Sequence, residues 1–198
     1  NDIPAAIAAA TAAANTSLAL DDRDADAHLT LGRIGLITGD HAQALDESET
    51  ALALNPSLAL GHFVRGEALA FLGEWRRALA DFELAMRLSP HDPQIWAFEG
   101  WSGVAQLVLG DAGAANDWMR KAVRRPTVQP IMHLFHACTL AHLDRLDEAK
   151  AAMARLGALQ PDFTVANLAA AYPNAPEDMK TALYDGLRKI GVSIPDEG

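Results

Sequence analysis

Apolar and small residues recur along this chain at intervals of three and four, the spacing that lines one face of an α-helix, and turn-forming residues interrupt them at regular distances. The clearest stretch is Ala59–Asp92, ALGHFVRGEALAFLGEWRRALADFELAMRLSPHD, in which two amphipathic helical patterns are split by Gly73-Glu74 and closed by Ser89-Pro90. Moved back by 34 residues, its Gly66, Gly73, Ala78, Ala85, Leu88 and Pro90 fall on Gly32, Gly39, Ala44, Ala51, Leu54 and Pro56. Small residues, turn glycines and closing prolines that keep step in this way make an internal repeat. A unit of this kind buries its apolar face on its neighbours rather than in one large core.

The stretch Ile3–Leu20 carries alanines and leucines at helical spacing and places Ala10 and Ser17 one period before Ala44 and Ala51. Residues 1–24 therefore read as the second helix of a unit whose first helix is missing. The first unit spans 25–58, with helices expected over 26–38 and 42–54, a turn at Gly39-Asp40 and a stop at Asn55-Pro56, where proline cannot continue the hydrogen-bond ladder. The second unit, 59–92, repeats it. In the third, 93–127, the period slips: Gly73 to Gly110, Ala78 to Ala115 and Ala85 to Ala122 are each 37 residues. Gly100 falls in the small-residue column if the extra residues follow it, and Gly103 if they precede it; the sequence leaves both open. The fourth unit, 128–161, returns to the 34-residue period, with helices expected over 130–143 and 147–159. Residues 162–198 hold a short helical pattern over 164–171, the breaker cluster Tyr172-Pro173-Asn174-Ala175-Pro176 and an amphipathic helix over 176–190. The stripe of that last helix, Met179, Leu183, Leu187 and Ile190, reads as a terminal cap.

Composition narrows the role. Half of the 198 residues are apolar and the formal charge is -10, a balance that argues against a general nucleic-acid or anionic-membrane surface, each of which needs a basic footprint. Cys138 is the single cysteine, so no intrachain disulfide forms and the cytoplasm is the expected compartment. The alanine-rich start has its first cation at Arg23, lacks the charged flank of a signal peptide, and reads as too short and too weakly apolar to cross a bilayer. Beginning with Asn1 rather than methionine, the chain reads as a fragment of a longer protein.

A helix-turn-helix unit of this period, with these small columns and a closing proline, resembles the tetratricopeptide repeat over 25–161. The resemblance implies an all-α fold, a right-handed α–α superhelix with a C-terminal capping helix, and a non-catalytic role in protein–protein interaction that needs no cofactor. The residues supply their own reasons: Gly32, Gly66, Ala44 and Ala78 let paired helices approach, while Leu31, Ala51, Leu69, Phe82 and Ala85 fill the seam. Where the family prefers leucine inside the first helix, this chain has Arg65, Glu99 and His136. Taken as one column of adjacent units, Arg65 and Glu99 either pair across the interface or each extend to solvent. A second resemblance starts at the Gly110-Asp111 turn. The run AHLDRLDEAKAAMARLGALQPDFTVANL and the tail AYPNAPEDMKTALYDGLRKIGV are similar to the C-terminal repeat regions of bacterial class III adenylate/guanylate cyclase-type proteins and of winged-helix regulators. It implies an interaction or regulatory module of a bacterial signalling protein, the sensory or oligomerising arm of a cyclase, or, apart from either, a free-standing scaffold. No catalytic residue is carried over.

Candidate chemistry is sparse. Gly32-Arg33-Ile34-Gly35 lies inside a helical pattern rather than after a strand, and Gly100-Trp101-Ser102-Gly103 lacks the final glycine of a nucleophile elbow, so neither makes a phosphate loop or a catalytic turn. His133, His136, Cys138 and His142 share a helix at spacings that could share a metal, but His28, His62 and His133 occupy one column near the start of the first helix, which points to packing or a helix-start hydrogen bond. Carboxylates such as Asp46, Glu47 and Glu49 are spread over exposed faces. Arg120, Lys121, Arg124 and Arg125 form the basic concentration, with Arg76 and Arg77 of the preceding unit as candidate neighbours.

The groove is the stronger candidate. In a stack of such units the first helices line one side, and the inward stripes are Leu29, Arg33, Leu36 and Ile37; Phe63, Glu67, Ala70 and Phe71; Ala97, Trp101 and Val104; and Leu134, Cys138 and Ala141. The partner-binding set drawn from them is Leu29, Arg33, Leu36, Phe63, Glu67, Phe71, Trp101 and Leu134. Mostly apolar, it suits an amphipathic helix or extended apolar segment, supplied by a separate protein, by the chain itself or by a second copy.

Overall fold

The computed structural model describes residues 2–194, and the regular structure in them is helical throughout. Asn1 and the end of the expected tail, 195–198, lie outside the described residues. The chain divides into two compact units between Pro90 and His91. Unit 1 contains α1 (Ile3–Leu20), α2 (Ala25–Thr38), α3 (His41–Leu54), α4 (Ala59–Phe71) and α5 (Trp75–Leu88). Unit 2 contains α6 (Ile95–Val108), α7 (Ala112–Ala122), α8 (Ile131–His142), α9 (Leu146–Leu159), α10 (Val165–Ala171) and α11 (Glu177–Lys189).

Each helix pair turns on one residue in the left-handed backbone region: Gly39 (φ 81°), Gly73 (81°), Gly110 (89°) and, at the fourth turn, Asp144 (55°). Glycine enters that region without a Cβ clash, and aspartate is among the few other residues that tolerate it. The four amides donate to the carbonyls of Leu36, Ala70, Leu107 and Ala141, one position repeated four times. Asp24, Asp40 and Asp111 start α2, α3 and α7 by accepting amide hydrogens of the first turn on their carboxylates.

Packing resolves the register of the third repeat. A Cβ on Gly32 would lie 3.4 Å from the Ala44 carbonyl oxygen, one on Gly66 3.2 Å from that of Ala78, and one on Gly103 3.2 Å from that of Ala115. Gly103 is therefore the counterpart of Gly32 and Gly66, and the extra residues precede it. The connection 89–94 is two residues longer than 55–58, and α6 has 14 residues against 13 in α4. Gly100 faces the Met132 side chain on α8 instead. The partners of these glycines, Ala44, Ala78 and Ala115, are fully buried, as is Ala149 in the fourth repeat.

With that register, Glu99 falls in the column of His28, His62 and His133, and Arg65 in that of Ser102 and His136. Both expectations for Arg65 and Glu99 are corrected: they neither pair with each other nor extend freely to solvent. Arg65 Nε and Nη2 donate to Asp81 Oδ2 and Oδ1 at 2.8 and 2.7 Å, and Arg125 Nε and Nη2 donate to Glu99 Oε2 and Oε1 at 3.0 and 2.5 Å. Both carboxylates are buried, and a planar guanidinium satisfies both oxygens at once. The bonds to the carboxylates raise the pKa of each arginine above its ordinary value. The histidine column has a matching task. His28 places Nδ1 2.7 Å from Glu47 and Nε2 3.4 Å from the Asp22 carbonyl, and His62 places the same atoms 3.1 Å from Asp81 and 3.0 Å from the Pro56 carbonyl. In both repeats the imidazole ties a first helix to its second helix and to the preceding loop, so Glu47 is a partner rather than part of a solvated face.

Within unit 1, α2 packs on α3, α4 on α5, and α2 lies beside α4; within unit 2, α6 packs on α7, α8 on α9, and α6 lies beside α8. The capping helix α11 lies on α8 and reaches α6, so the surface it covers is the first-helix face of its own unit.

Candidate functional site

In unit 2 the first-helix face is occupied from within. The Cys138 thiol donates to the Leu183 carbonyl at 3.4 Å, His142 Nε2 donates to the Ala182 carbonyl at 2.7 Å, and Lys189 Nζ pairs with Asp144 at 2.9 Å. Gly186 makes the close crossing possible: a Cβ there would lie 2.8 Å from Cys138 Cα and 3.0 Å from its carbonyl oxygen. Met179, Leu183 and Leu187 of α11 are buried around it. Burial raises the pKa of the Cys138 thiol, so the sulfur is a neutral core donor rather than a nucleophile. Upstream, Tyr172 sets its ring edge-on to Trp101, with centroids 6.2 Å apart, and tilted on Phe135 at 5.9 Å.

These contacts correct the expected groove in unit 2. Trp101 and Leu134 are buried, 5% and 0% exposed, and offer no surface to a partner. Trp101 also belongs to the column of Thr30, Val64 and Phe135 rather than to the stripe, because the three-residue slip precedes it. The stripe through the four repeats is instead Arg33, Glu67, Val104 and Cys138, flanked by Ile37, Phe71, Val108 and His142.

In unit 1, among the described residues, the same stripe has no helix of its own unit laid over it. Arg33 is exposed, Ile37 is 63% exposed, and Leu36, Glu67 and Phe71 are half-buried. Leu29 and Phe63, also expected here, turn into the core: Leu29 packs with Ala51 and Val64, and the Phe63 ring tilts on Phe82 at 5.7 Å. Phe71 is held by a residue that sequence reasoning missed. His41, the first residue of α3, stacks flat on it with centroids 4.4 Å apart and 13° between planes. Its ring nitrogens are buried and meet no hydrogen-bond partner among the described residues, and burial lowers its pKa. A neutral imidazole thus acts here as an aromatic plate that fixes the Phe71 rotamer. The signal for it lies in the repeat, where the position of His41 is filled by Trp75 one period on.

The other candidate clusters are drawn apart by their surroundings. His136 Nε2 sits 3.2 Å from the buried Asn116 Oδ1, and burial, reinforced by the positive charges of His133 and Arg145, lowers its pKa to about 4. His136, Cys138 and His142 thus face three different partners, and among the described residues no three histidine, cysteine or acidic side chains gather to hold a metal. Of the basic concentration, Arg125 is spent on Glu99, Lys121 lies 3.9 Å over the Trp118 ring, and Arg120 is 3.8 Å from Asp117. Contrary to expectation, α1 is long and apolar enough by length and composition to cross a membrane. Its Ile7, Ala10, Ala14 and Leu18 nevertheless pack on Ala27, Leu31 and Ile34 of α2 as a core face.

No family model matches the chain, and no curated protein matches it in sequence. Solved structures do match in fold. PilW, a widely conserved type IV pilus biogenesis factor, is similar with a TM-score of 0.72 at 18% identity, over 93% of this chain and 84% of that one. A thermophilic tetratricopeptide-repeat protein of Thermus thermophilus has a TM-score of 0.65 at 21% identity over 92% and 91% of the two chains. YrrB, a tetratricopeptide-repeat protein with an unusual peptide-binding site, has 0.63 at 19% identity over 89% and 92%. The repeat geometry and these likenesses agree on one fold, the all-helical tetratricopeptide-repeat solenoid.

Proposed function

We propose that the chain is a non-catalytic protein-interaction module that receives an amphipathic helix on the first-helix face of unit 1. The observation that carries this reading is α11. Repeat equivalence places Arg33 and Glu67 in the column of Cys138, and Ile37 and Phe71 in that of His142, and it is at Cys138 and His142 that α11 is docked in unit 2. The same stripe that holds a helix in one unit is presented by the other, with Leu36, Ile37 and Phe71 as apolar anchors and the exposed Arg33 for polar pairing. The likeness to YrrB, described as having an unusual peptide-binding site, supports the same reading.

A displayed library of helical peptides, selected on the wild-type chain and retested on Leu36→Glu/Phe71→Glu, checks it. The expected result is enrichment of amphipathic sequences whose affinity drops about tenfold or more in the double variant, as for anchor residues of an interface. Equal binding to both chains would sink the assignment. In a wider setting, the tail resemblance supports a module of a larger bacterial signalling protein, with a cyclase arm and a free-standing scaffold as alternatives; the gene sequence upstream of Asn1 separates the three. The buried free thiol of Cys138 is compatible with the cytoplasm.

A further inference from the structure

We propose that the cavity between α10 and α11 is a binding site for a small apolar carboxylic acid, with a short branched hydrocarbon chain held inside and the carboxylate at the Lys180 ammonium. The site belongs to unit 2 and does not depend on the unit 1 face.

The cavity measures about 90 Å³. Its inner wall is hydrocarbon and thioether: Leu168 of α10 and Met179 and Leu183 of α11 line it, and each is buried. An apolar cavity of about 150 Å³ accepts a benzene ring, so this one suits a branched chain of about four carbons by the same measure. Met179 is the adaptable part of the wall, since an unbranched thioether shifts to fit a guest. The mouth differs in kind. Lys180 and Tyr184, half-buried and four residues apart on one face of α11, line it beside the exposed Pro173. Among the described residues that line the cavity there is no carboxylate, so the charge it offers a guest is that of one lysine.

That lysine is loosely held. Its ion pair is with Glu177 at 3.8 Å, a carboxylate whose side chain is 78% exposed, and a pair of that kind contributes little. The other two cations of α11 are better engaged: Arg188 donates to Asp185 at 2.8 Å and Lys189 to Asp144 at 2.9 Å. A bare inorganic anion at Lys180 would leave the apolar wall unfilled, and a neutral hydrocarbon would leave the ammonium unanswered. A carboxylate on a short branched chain satisfies both, with a charge-assisted hydrogen bond at the mouth and apolar contact within. The Tyr184 hydroxyl brings a second donor to the same mouth.

The probe is 3-methylbutanoate, titrated into the full chain labelled at its methionine methyl groups, with the Met179 resonance assigned through Met179→Leu. The expected result is a saturable shift of that resonance in roughly the millimolar range, as suits a ligand of so few atoms. Two controls divide the ligand into its parts: 3-methylbutan-1-ol keeps the chain without the charge, acetate the charge without the chain, and each should bind about tenfold or more weaker. In Lys180→Met, which keeps the hydrocarbon stem, the acid should lose about the same tenfold while the alcohol is unaffected; the comparison of acid with alcohol on the wild type stands whether or not that variant folds. A Met179 resonance that the acid does not move overturns the site. Equal binding of acid and alcohol, or of acid to wild type and a folded Lys180→Met chain, overturns the carboxylate. Affinity that climbs steadily through octanoate and dodecanoate, in place of a limit set by the cavity, means adsorption to apolar surface and overturns the assignment as well.

Discussion

His136 shows how a single position couples the repeat to solution conditions. Its folded pKa of about 4 lies below the ordinary 6.5 because burial and nearby positive charge oppose protonation. The unfolded chain therefore takes up the proton first, so stability is full above 6.5, falls as pH drops through that value, and the loss is complete below about 4. The group accounts for at most about 3 kcal/mol. Urea titrations across this range should show a falling midpoint that flattens in His136→Gln, with a residual slope from His41 and His133, whose pKa values burial lowers in the same direction. A His136→Gln chain with the wild-type slope would refute the assignment. Asp81 offers a second test, since it accepts from Arg65 and His62 together. Asp81→Ala leaves both donors without their acceptor and should cost about 3 kcal/mol in denaturant melts, whereas the exposed pair Arg188–Asp185 should change stability by less than about 1 kcal/mol when broken.

Between helices, the decisive quantity is the distance of approach. At Gly66 a Cβ would lie 2.5 Å from the Phe82 ring and 3.2 Å from the Ala78 carbonyl, while at Gly157, inside α9, no atom of the described residues beyond its own helical turn lies within 4 Å. The two alanine substitutions should move the melting temperature in opposite directions. Gly66→Ala should destabilise by about 1–3 kcal/mol through overpacking, and Gly157→Ala should stabilise by up to about 1 kcal/mol through helix propensity. Equal shifts of one sign would show that the small-residue columns do not set helix spacing. The same measure explains what the repeat pattern left open at the third unit: Gly100 and Gly103 both suit a small-residue column, and only their neighbours, Met132 for one and Met119 with Ala115 for the other, tell them apart.

At the scale of the whole chain, the lone thiol reports whether the α8 face is covered. Cys138 is fully buried beneath α11, and its pKa is raised. A water-soluble disulfide reagent should react with it slowly in the full chain and about tenfold or more faster in a chain ended after Ala175, where protection no longer requires local opening. Equal rates in two folded proteins would mean that something other than α11 shields the sulfur. The fold itself was legible in the primary structure, because the 34-residue step, the turn glycines and the buried alanines are local requirements that each unit must meet in its own residues. The candidate site was legible only in part. Arg33, Leu36, Glu67 and Phe71 lie on a face that helical periodicity alone identifies, but Leu29, Phe63, Trp101 and Leu134 look equally suitable in one dimension and are buried in three. Partners that lie far apart in sequence, Glu99 with Arg125 or Cys138 with Leu183, leave no periodic trace, since they depend on how elements meet rather than on spacing within one. The amino-acid order thus determined the repeat, its turns and its close-packed columns, which are short-range steric demands. Tertiary structure alone decided which stripe is covered by a helix of its own unit, because covering a face requires a distant segment to arrive on it.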